Sequence, residues 1–342
     1  MALPRSYRSG MDRTVGPKPG AALRHERRGV ARPRLPLGGQ VRRAMPHHGR
    51  RNYYERGLEM KLATFDAGAG DHVGIVDGDE VVDLTAADPS LATMIDLLDR
   101  GPHQAAASSS QGPRLALSSA KLRPPVPHPP KFLAIGYNYA AHLDETHMPR
   151  PTRQAWFNKQ QTCIIGTGDP IWIPAIAPGQ IDYEGELGMV IGRRCKNVPN
   201  DKPAVLDVVA GFTIVNDVSV RDWQELEPGM VVSKSFDTHG PTGPWIVTTD
   251  EIGDPLDLHL RTYVSDDLRQ DGHTGDMLFD IYEQVSYLSS AFTLEAGDVI
   301  STGTPSGIAW HRPGMYLKPG DTVRVEIDKI GTLENPVIAE PH

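Results

Sequence analysis

The chain has 342 residues, 39% of them hydrophobic, and 43 acidic against 35 basic side chains for a formal net charge of −8. That apolar fraction excludes global disorder, and the length suits one large domain or two ordinary ones. No apolar run approaches the roughly 20 residues that span a bilayer, and two cysteines, Cys163 and Cys195, lie outside any metal-ligand spacing and point to a reducing, cytoplasmic setting rather than a disulfide framework.

The charge is unevenly distributed. Residues 1–59 carry 14 basic side chains against four acidic ones, a net of +10, whereas the other 283 residues carry 21 basic and 39 acidic ones. The leader shows no apolar periodicity, and its Gly and Pro residues break any helix longer than a turn or two. Its arginines suit a nucleic-acid-binding arm. A transit peptide would also want serines and an amphipathic helix, and only Ser6 and Ser9 are present. The preferred reading is a disordered extension, since Met60-Lys61-Leu62-Ala63-Thr64-Phe65 opens abruptly with strand-like alternation.

From Met60 onward the 34 Gly and 30 Pro of the chain favour a β-rich architecture over helix bundles. Residues 73–76 and 80–84 flank Asp77-Gly78-Asp79 as a hairpin. A short helix follows with Leu91, Met94, Ile95 and Leu98 on one face and Thr93 or Ser90 near its cap. Residues 105–120 are Ser/Ala/Gln-rich and weakly patterned, and the proline-rich stretch 122–130 is a stiff connector. This places a small β-rich N-terminal domain at 60–125 and a second domain at 131–340.

The second domain opens with a buried strand at 132–136. A helix over 139–146 sets His142 and Glu145 at i and i+3, where a carboxylate can fix the imidazole tautomer for a general base. The same spacing also makes an ordinary surface salt bridge. Met148 to Arg153, with Pro149 and Pro151, reads as a mobile lid. Read at period 2, the window 181–191 turns Ile181, Tyr183, Leu187, Met189 and Ile191 one way and Asp182, Glu184 and Glu186 the other. Such carboxylates form either a solvated strand face or an oxygen-only site for Mg²⁺, Mn²⁺ or Ca²⁺. Asp217, ending the apolar strand 212–215, is a third candidate ligand, and the polar residues 219–224 follow it. Lys234, in a segment otherwise short of charge, is by itself better explained as a surface lysine. A core helix with Met277, Ile281, Val285 and Leu288 spans 276–290, and the alternation at 322–327 predicts a strand with one wet face.

Together these segments resemble the fumarylacetoacetate hydrolase family. The resemblance rests on Gly-Tyr-Asn-Tyr-Ala-Ala-His-Leu-Asp-Glu at 136–145, Asp-Tyr-Glu-Gly-Glu-Leu at 182–187, Asn-Asp-Val-Ser-Val-Arg-Asp at 216–222, Lys-Ser-Phe-Asp-Thr at 234–238 and Thr-Gly-Thr-Pro-Ser-Gly at 302–307, in that order. It covers about residues 60–336 and leaves the leader outside. It implies an α+β, mostly β fold: a mixed β-sandwich roll with a small β-rich N-terminal domain, usually dimeric. It further implies Mg²⁺ or Mn²⁺ on Glu184, Glu186 and Asp217, with His142 and Glu145 as the lid dyad and Lys234 as the active-site lysine. Lys159, Gln224 and Thr304 match positions that hold substrate oxygens, whereas Tyr137 stands where relatives vary and is a candidate substrate contact only. Asp182 and Arg221 are supporting residues.

The implied reaction is hydrolysis of a carbon–carbon bond in a β-diketo acid of the acylpyruvate or fumarylpyruvate type. Oxaloacetate-type decarboxylation and isomerisation or hydration of 2-hydroxydienoates would use the same metal site. From a different class, a non-catalytic binding protein with a nucleic-acid-binding leader is the alternative, and the intact acids, His142 and Lys234 speak against it. Neither a membrane nor a nucleic-acid partner is expected.

Overall fold

A computed structural model describes residues 60–109, 112–227, 229–310 and 312–341, so the leader readings lie outside the described residues. Among the described residues there are two large mixed sheets and a small two-stranded ribbon. The larger is centred on three antiparallel neighbours, Gly185–Ile191, Val209–Asn216 and Gly240–Thr248. Every residue of the first two is buried, so these strands are covered on both faces, and among their mostly apolar residues Glu186, Thr213 and Asn216 are buried polar groups. Beyond them, Val299–Ser301 and Phe132–Gly136 extend one side of this sheet. On the other side, Lys61–Asp66 pairs with Gly240–Thr248 and brings the N-terminal hairpin into the same sheet.

The smaller sheet runs Asp267–His273, His259–Val264, Thr322–Ile327, Gly331–Ala339, Ile171–Ile173. The two sheets close on each other at Gly185. A Cβ there would lie 2.2 Å from Thr262 Oγ1 and 3.0 Å from Val325 Cγ1, so only glycine lets the backbones approach. Thr322–Ile327 alternates half-buried and buried residues, as the sequence predicts.

Several local expectations are met. Asp71–Asp77 and Glu80–Asp83 form a hairpin joined by Gly78-Asp79, with Gly78 at φ 58°. Thr93 caps the helix Met94–Arg100 in a reciprocal box with Asp96. Asp280 and Glu283 do the same for Ile281–Ala291, which buries Ile281, Val285 and Leu288; Met277 precedes that helix rather than belonging to it. The weakly patterned region contains a helix, Pro102–Ser109, whose proline stands at the first helical position, where its missing N–H costs nothing. No helix among the described residues is long and apolar enough to cross a membrane.

His239 is a buried residue with a pH consequence. Its Nε2 bonds the Trp172 carbonyl at 2.8 Å, and burial pushes its pKa down to about 4. An unfolded chain takes up this proton below pH 6.5, whereas the folded one does so only near pH 4. Stability contributed at neutral pH is therefore lost as pH falls between those values, by up to about 3 kcal/mol. In urea titrations, the stability gap between wild type and His239→Gln should shrink progressively from pH 7 to pH 4. His142 carries a shift of the same sign and cancels in that comparison.

Candidate metal centre and active site

The strand expected over 181–191 is interrupted. Ile181–Asp182 pairs with Ser219–Val220 in a separate ribbon, and Gly185–Ile191 belongs to the central sheet. Tyr183 and Glu184 bridge the two. Register then brings the acids together: Gly185 lies opposite Asn216, so Glu184 and Asp217 stand one step past the paired ends. The Asp217 N–H donates to the Glu184 carbonyl at 2.8 Å, and the Glu184 N–H donates to Asn216 Oδ1 at 3.0 Å. Oxygens of Glu184, Glu186 and Asp217 lie within 4.8 Å of one another, and all three residues are buried. The solvated-face reading of these acids is thereby excluded.

Each carboxylate has its own partners. Glu184 accepts from Arg221 Nη2 at 2.5 Å and from Lys234 Nζ at 2.5 Å. Burial opposes its ionisation, but Lys234 and Arg221 outweigh burial and hold the carboxyl below the usual range. Asp217 accepts from Lys159 Nζ at 2.6 Å and Lys234 Nζ at 2.9 Å. Glu186 accepts from the Ser301 hydroxyl at 2.6 Å and the Gly303 N–H at 2.8 Å. Lacking a bonded cation, it is pushed well up by burial and by the charges of Asp217 and Glu184. Gly303, at φ 93°, can present its N–H there because it lacks the Cβ that would lie 2.7 Å from Asn138 Cβ.

Asp182 and Arg221 form a buried pair at 2.8 Å behind Glu184, and the Ala309 N–H donates to Asp182 at 2.7 Å. The described cluster thus sets four carboxylates against Lys159, Arg221 and Lys234. This oxygen-only donor set with a surplus of negative charge fits a hard divalent cation held by Glu184, Glu186 and Asp217.

One cavity, with about 20 Å³ of room, is lined by Glu184, Glu186, Arg221, Lys234, His142, Gln224, Thr304 and Tyr137. Ile135, Phe157, Met230 and Trp310 supply its apolar wall. Gln224 accepts from Arg221 Nη1 at 2.7 Å, and Thr304 donates to the Gly185 carbonyl at 2.9 Å. Tyr137 takes a left-handed backbone at φ 61°. Lys159 is bonded behind Asp217 and to the Lys234 carbonyl, not among the lining residues of this cavity.

The helix Ala140–Thr146 carries His142 and Glu145, but no hydrogen bond joins them. His142 Nδ1 is buried without a partner, and burial pushes its pKa down to about 4. Glu145 instead accepts from the Gly307 N–H at 2.6 Å and pairs with Arg312 at 3.1 Å. Ser301, Asn216, Met230, Trp310 and Arg312 complete the surroundings. Of these only Asn216 stood in a window singled out by sequence. Ser301 directly precedes such a window, and Arg312 carries no motif signal.

A family model for the fumarylacetoacetate (FAA) hydrolase C-terminal domain matches residues 131–338. The mitochondrial oxaloacetate tautomerase fahd2 of Xenopus laevis is 38% identical over 293 residues, 82% of this chain and 91% of that protein. The maleylpyruvate hydrolase of Sphingobium sp. SYK-6, solved with manganese(II) and pyruvate, is 35% identical with a TM-score of 0.70, covering 82% of this chain and all of that one. A 5-carboxymethyl-2-hydroxymuconate delta-isomerase from Mycobacterium smegmatis is 35% identical with a TM-score of 0.67, over 83% of this chain and all of that one. These relatives include a hydrolase, a tautomerase and an isomerase on one strand-rich α+β fold. With the motif order, the sheet architecture and the match over residues 131–338 in agreement, the chain is a member of the fumarylacetoacetate hydrolase family.

Proposed function

We propose that the chain is a divalent-metal-dependent hydrolase cleaving a carbon–carbon bond in a β-diketo acid of the acylpyruvate or fumarylpyruvate type. The observation that carries this reading is a cavity lined by two of the three clustered buried carboxylates, by the Lys234 ammonium and by His142, whose Nδ1 has no hydrogen-bond partner. Glu184, Glu186 and Asp217 would hold Mg²⁺ or Mn²⁺, which when bound supplies a Lewis acid for the 2-oxo acid end of the substrate and for enolate charge.

The chain's own groups divide the remaining work. His142 is neutral at physiological pH because burial disfavours its cation, so a ring nitrogen can take a proton from water. Glu145 supports that imidazole after leaving Gly307 and Arg312. The Lys234 ammonium is already beside Glu184 and Asp217 and donates to the oxygen that gains charge as the bond breaks. Gln224, Thr304 and Tyr137 position the substrate, and Lys159 acts by holding Asp217 in place. Asp182 and Arg221 fix Glu184. Residues 131–340 carry the chemistry, with 60–125 as the smaller N-terminal domain. A homodimer in a reducing, cytoplasmic setting belongs to this reading, the setting supported by the free thiols of Cys163 and Cys195.

A second reading, keto–enol tautomerisation of a 2-oxo acid, needs proton transfer and no attack by water. The separation of His142 from Glu145 favours it, as does the name of the Xenopus laevis relative. Incubating the Mg²⁺-loaded protein with acetylpyruvate and with the enol of oxaloacetate separates the two. Hydrolysis predicts pyruvate and acetate in equal amounts, lost on chelation with EDTA and restored by Mg²⁺ or Mn²⁺. Loss of enol absorbance without any cleavage product would replace the first reading by the second.

A further inference from the structure

An ion pair ties the helix Ala140–Thr146 to the loop after the 302–307 segment. Glu145 Oε2 accepts the Gly307 N–H at 2.6 Å, and Oε1 lies 3.1 Å from Arg312 Nη2. The acid's side chain is 10% exposed and the guanidinium 45%, so the pair is buried at one end and open to solvent at the other. Glu145 is thereby kept from His142, whose Nδ1 is buried without a hydrogen-bond partner.

Two features of the cavity bear on what breaks this pair. Its room of about 20 Å³ suits roughly one water, so a 2-oxo acid enters only if a wall moves. Its lining cations, Arg221 and Lys234, are both bonded to carboxylates of the cluster. A negative charge at the far end of a substrate therefore finds no uncommitted cation among those lining residues. Arg312 is paired with Glu145, which is itself on the helix Ala140–Thr146.

We infer that Arg312 reads the far end of the substrate: a carboxylate there takes the guanidinium from Glu145, and Glu145, released, turns to His142. The exchange replaces one carboxylate–guanidinium pair by another, so little charge-pairing energy is lost, and the planar fork of arginine suits two-point recognition of the incoming group. A substrate with a neutral tail has nothing to exchange and leaves Glu145 where it is. The favoured substrates are accordingly 2-oxo acids with a second carboxylate at the distal end. The inference rests on the proposed function for the role of His142, but its binding part can be tested apart from catalysis.

Calorimetry on the Mg²⁺-loaded full chain should compare 2-oxoglutarate with 2-oxopentanoate and 2-oxoadipate with 2-oxohexanoate, pairs that differ in the distal carboxylate. At least one dicarboxylate should bind about tenfold or more tightly than its partner. Arg312→Gln should bring that ratio within about twofold of unity, and Arg312→Lys should keep most of it through its retained charge. In kinetics, Arg312→Gln should raise KM and lower kcat for fumarylpyruvate more than for acetylpyruvate. A wild type without preference in either pair, or a preference that survives Arg312→Gln, overturns the inference. Loss of preference with no cleavage of any diketo acid would leave Arg312 as the reader and remove the hydrolase reading. Cleavage with a preference independent of Arg312 would do the reverse.

Discussion

Replacing Glu186 by glutamine is expected to abolish tight divalent-cation binding while leaving the metal-free fold as stable as before. Glu186 differs from its neighbours in its partners: Ser301 and Gly303 donate to it, and no described cation bonds it. Burial and the nearby charges of Asp217 and Glu184 raise its pKa well above the usual range, which favours its neutral form in the metal-free protein. Glutamine copies that neutral shape and still offers an oxygen to Ser301 and Gly303, while its amide faces the other acids. The cost to the metal-free fold should stay within about 1 kcal/mol. The cation, by contrast, loses a charged ligand. A ligand at a hundred times its Kd stabilises the native state by about 2.7 kcal/mol, and the variant should forfeit that gain. Thermal melts with EDTA and with excess Mg²⁺ read both halves of the expectation, and kcat/KM should fall on the order of 10³-fold. Glu184→Gln should behave differently, since it strips a charge partner from both Arg221 and Lys234 and weakens the metal-free protein itself. A Glu186→Gln protein that still melts higher with Mg²⁺ would remove Glu186 from the ligand set.

That contrast between two neighbouring glutamates could not be read from sequence, and the reason is physical. Sequence patterns carry short-range information well: the Gly78-Asp79 turn and the Thr93–Asp96 and Asp280–Glu283 caps lie within a few residues of the elements they end. The acids of the site were legible as well, because Glu184 and Glu186 are two apart and Asp217 ends an apolar run. What distinguishes them comes from far along the chain, such as Ser301 and Gly303 meeting Glu186 across 115 and 117 positions. A backbone N–H from Gly303 or Gly307 has no side chain to announce it. The same limit governs the break at Tyr183 and Glu184. Period-2 alternation runs through it, but Asp182 is recruited by Ser219 in a separate ribbon while Gly185 is claimed by the close approach of the second sheet. Spacing alone also set His142 against Glu145; Arg312, which holds that acid, is 167 residues further on and in no motif.

Arg221→Leu should be the most destabilising single change in the cluster. The guanidinium is 1% exposed and is bonded to Asp182 at 2.8 Å, Glu184 at 2.5 Å and Gln224 at 2.7 Å. Its plane also lies over the Trp310 ring, 4.9 Å from the centroid. Leucine fills part of the volume but leaves buried Asp182 without a cation and Glu184 with Lys234 alone, and removing one member of such a group costs about 3–5 kcal/mol. Urea denaturation of the metal-free protein at pH 7 measures the loss directly. Adding Asp182→Asn to the leucine variant should recover part of it, because one stranded charge is removed; the Ala309 N–H can still find the asparagine oxygen. Arg114 supplies the comparison. It bonds Asp77 and Glu80 at 2.9 and 3.0 Å, yet its side chain is 42% exposed and water screens the pairs. Arg114→Gln should leave stability close to that of wild type. If the two arginine variants proved equally mild, the Asp182–Arg221–Glu184 chain would not be what fixes Glu184, and its orientation would rest on Lys234 and on the Asn216 and Asp217 backbone contacts instead.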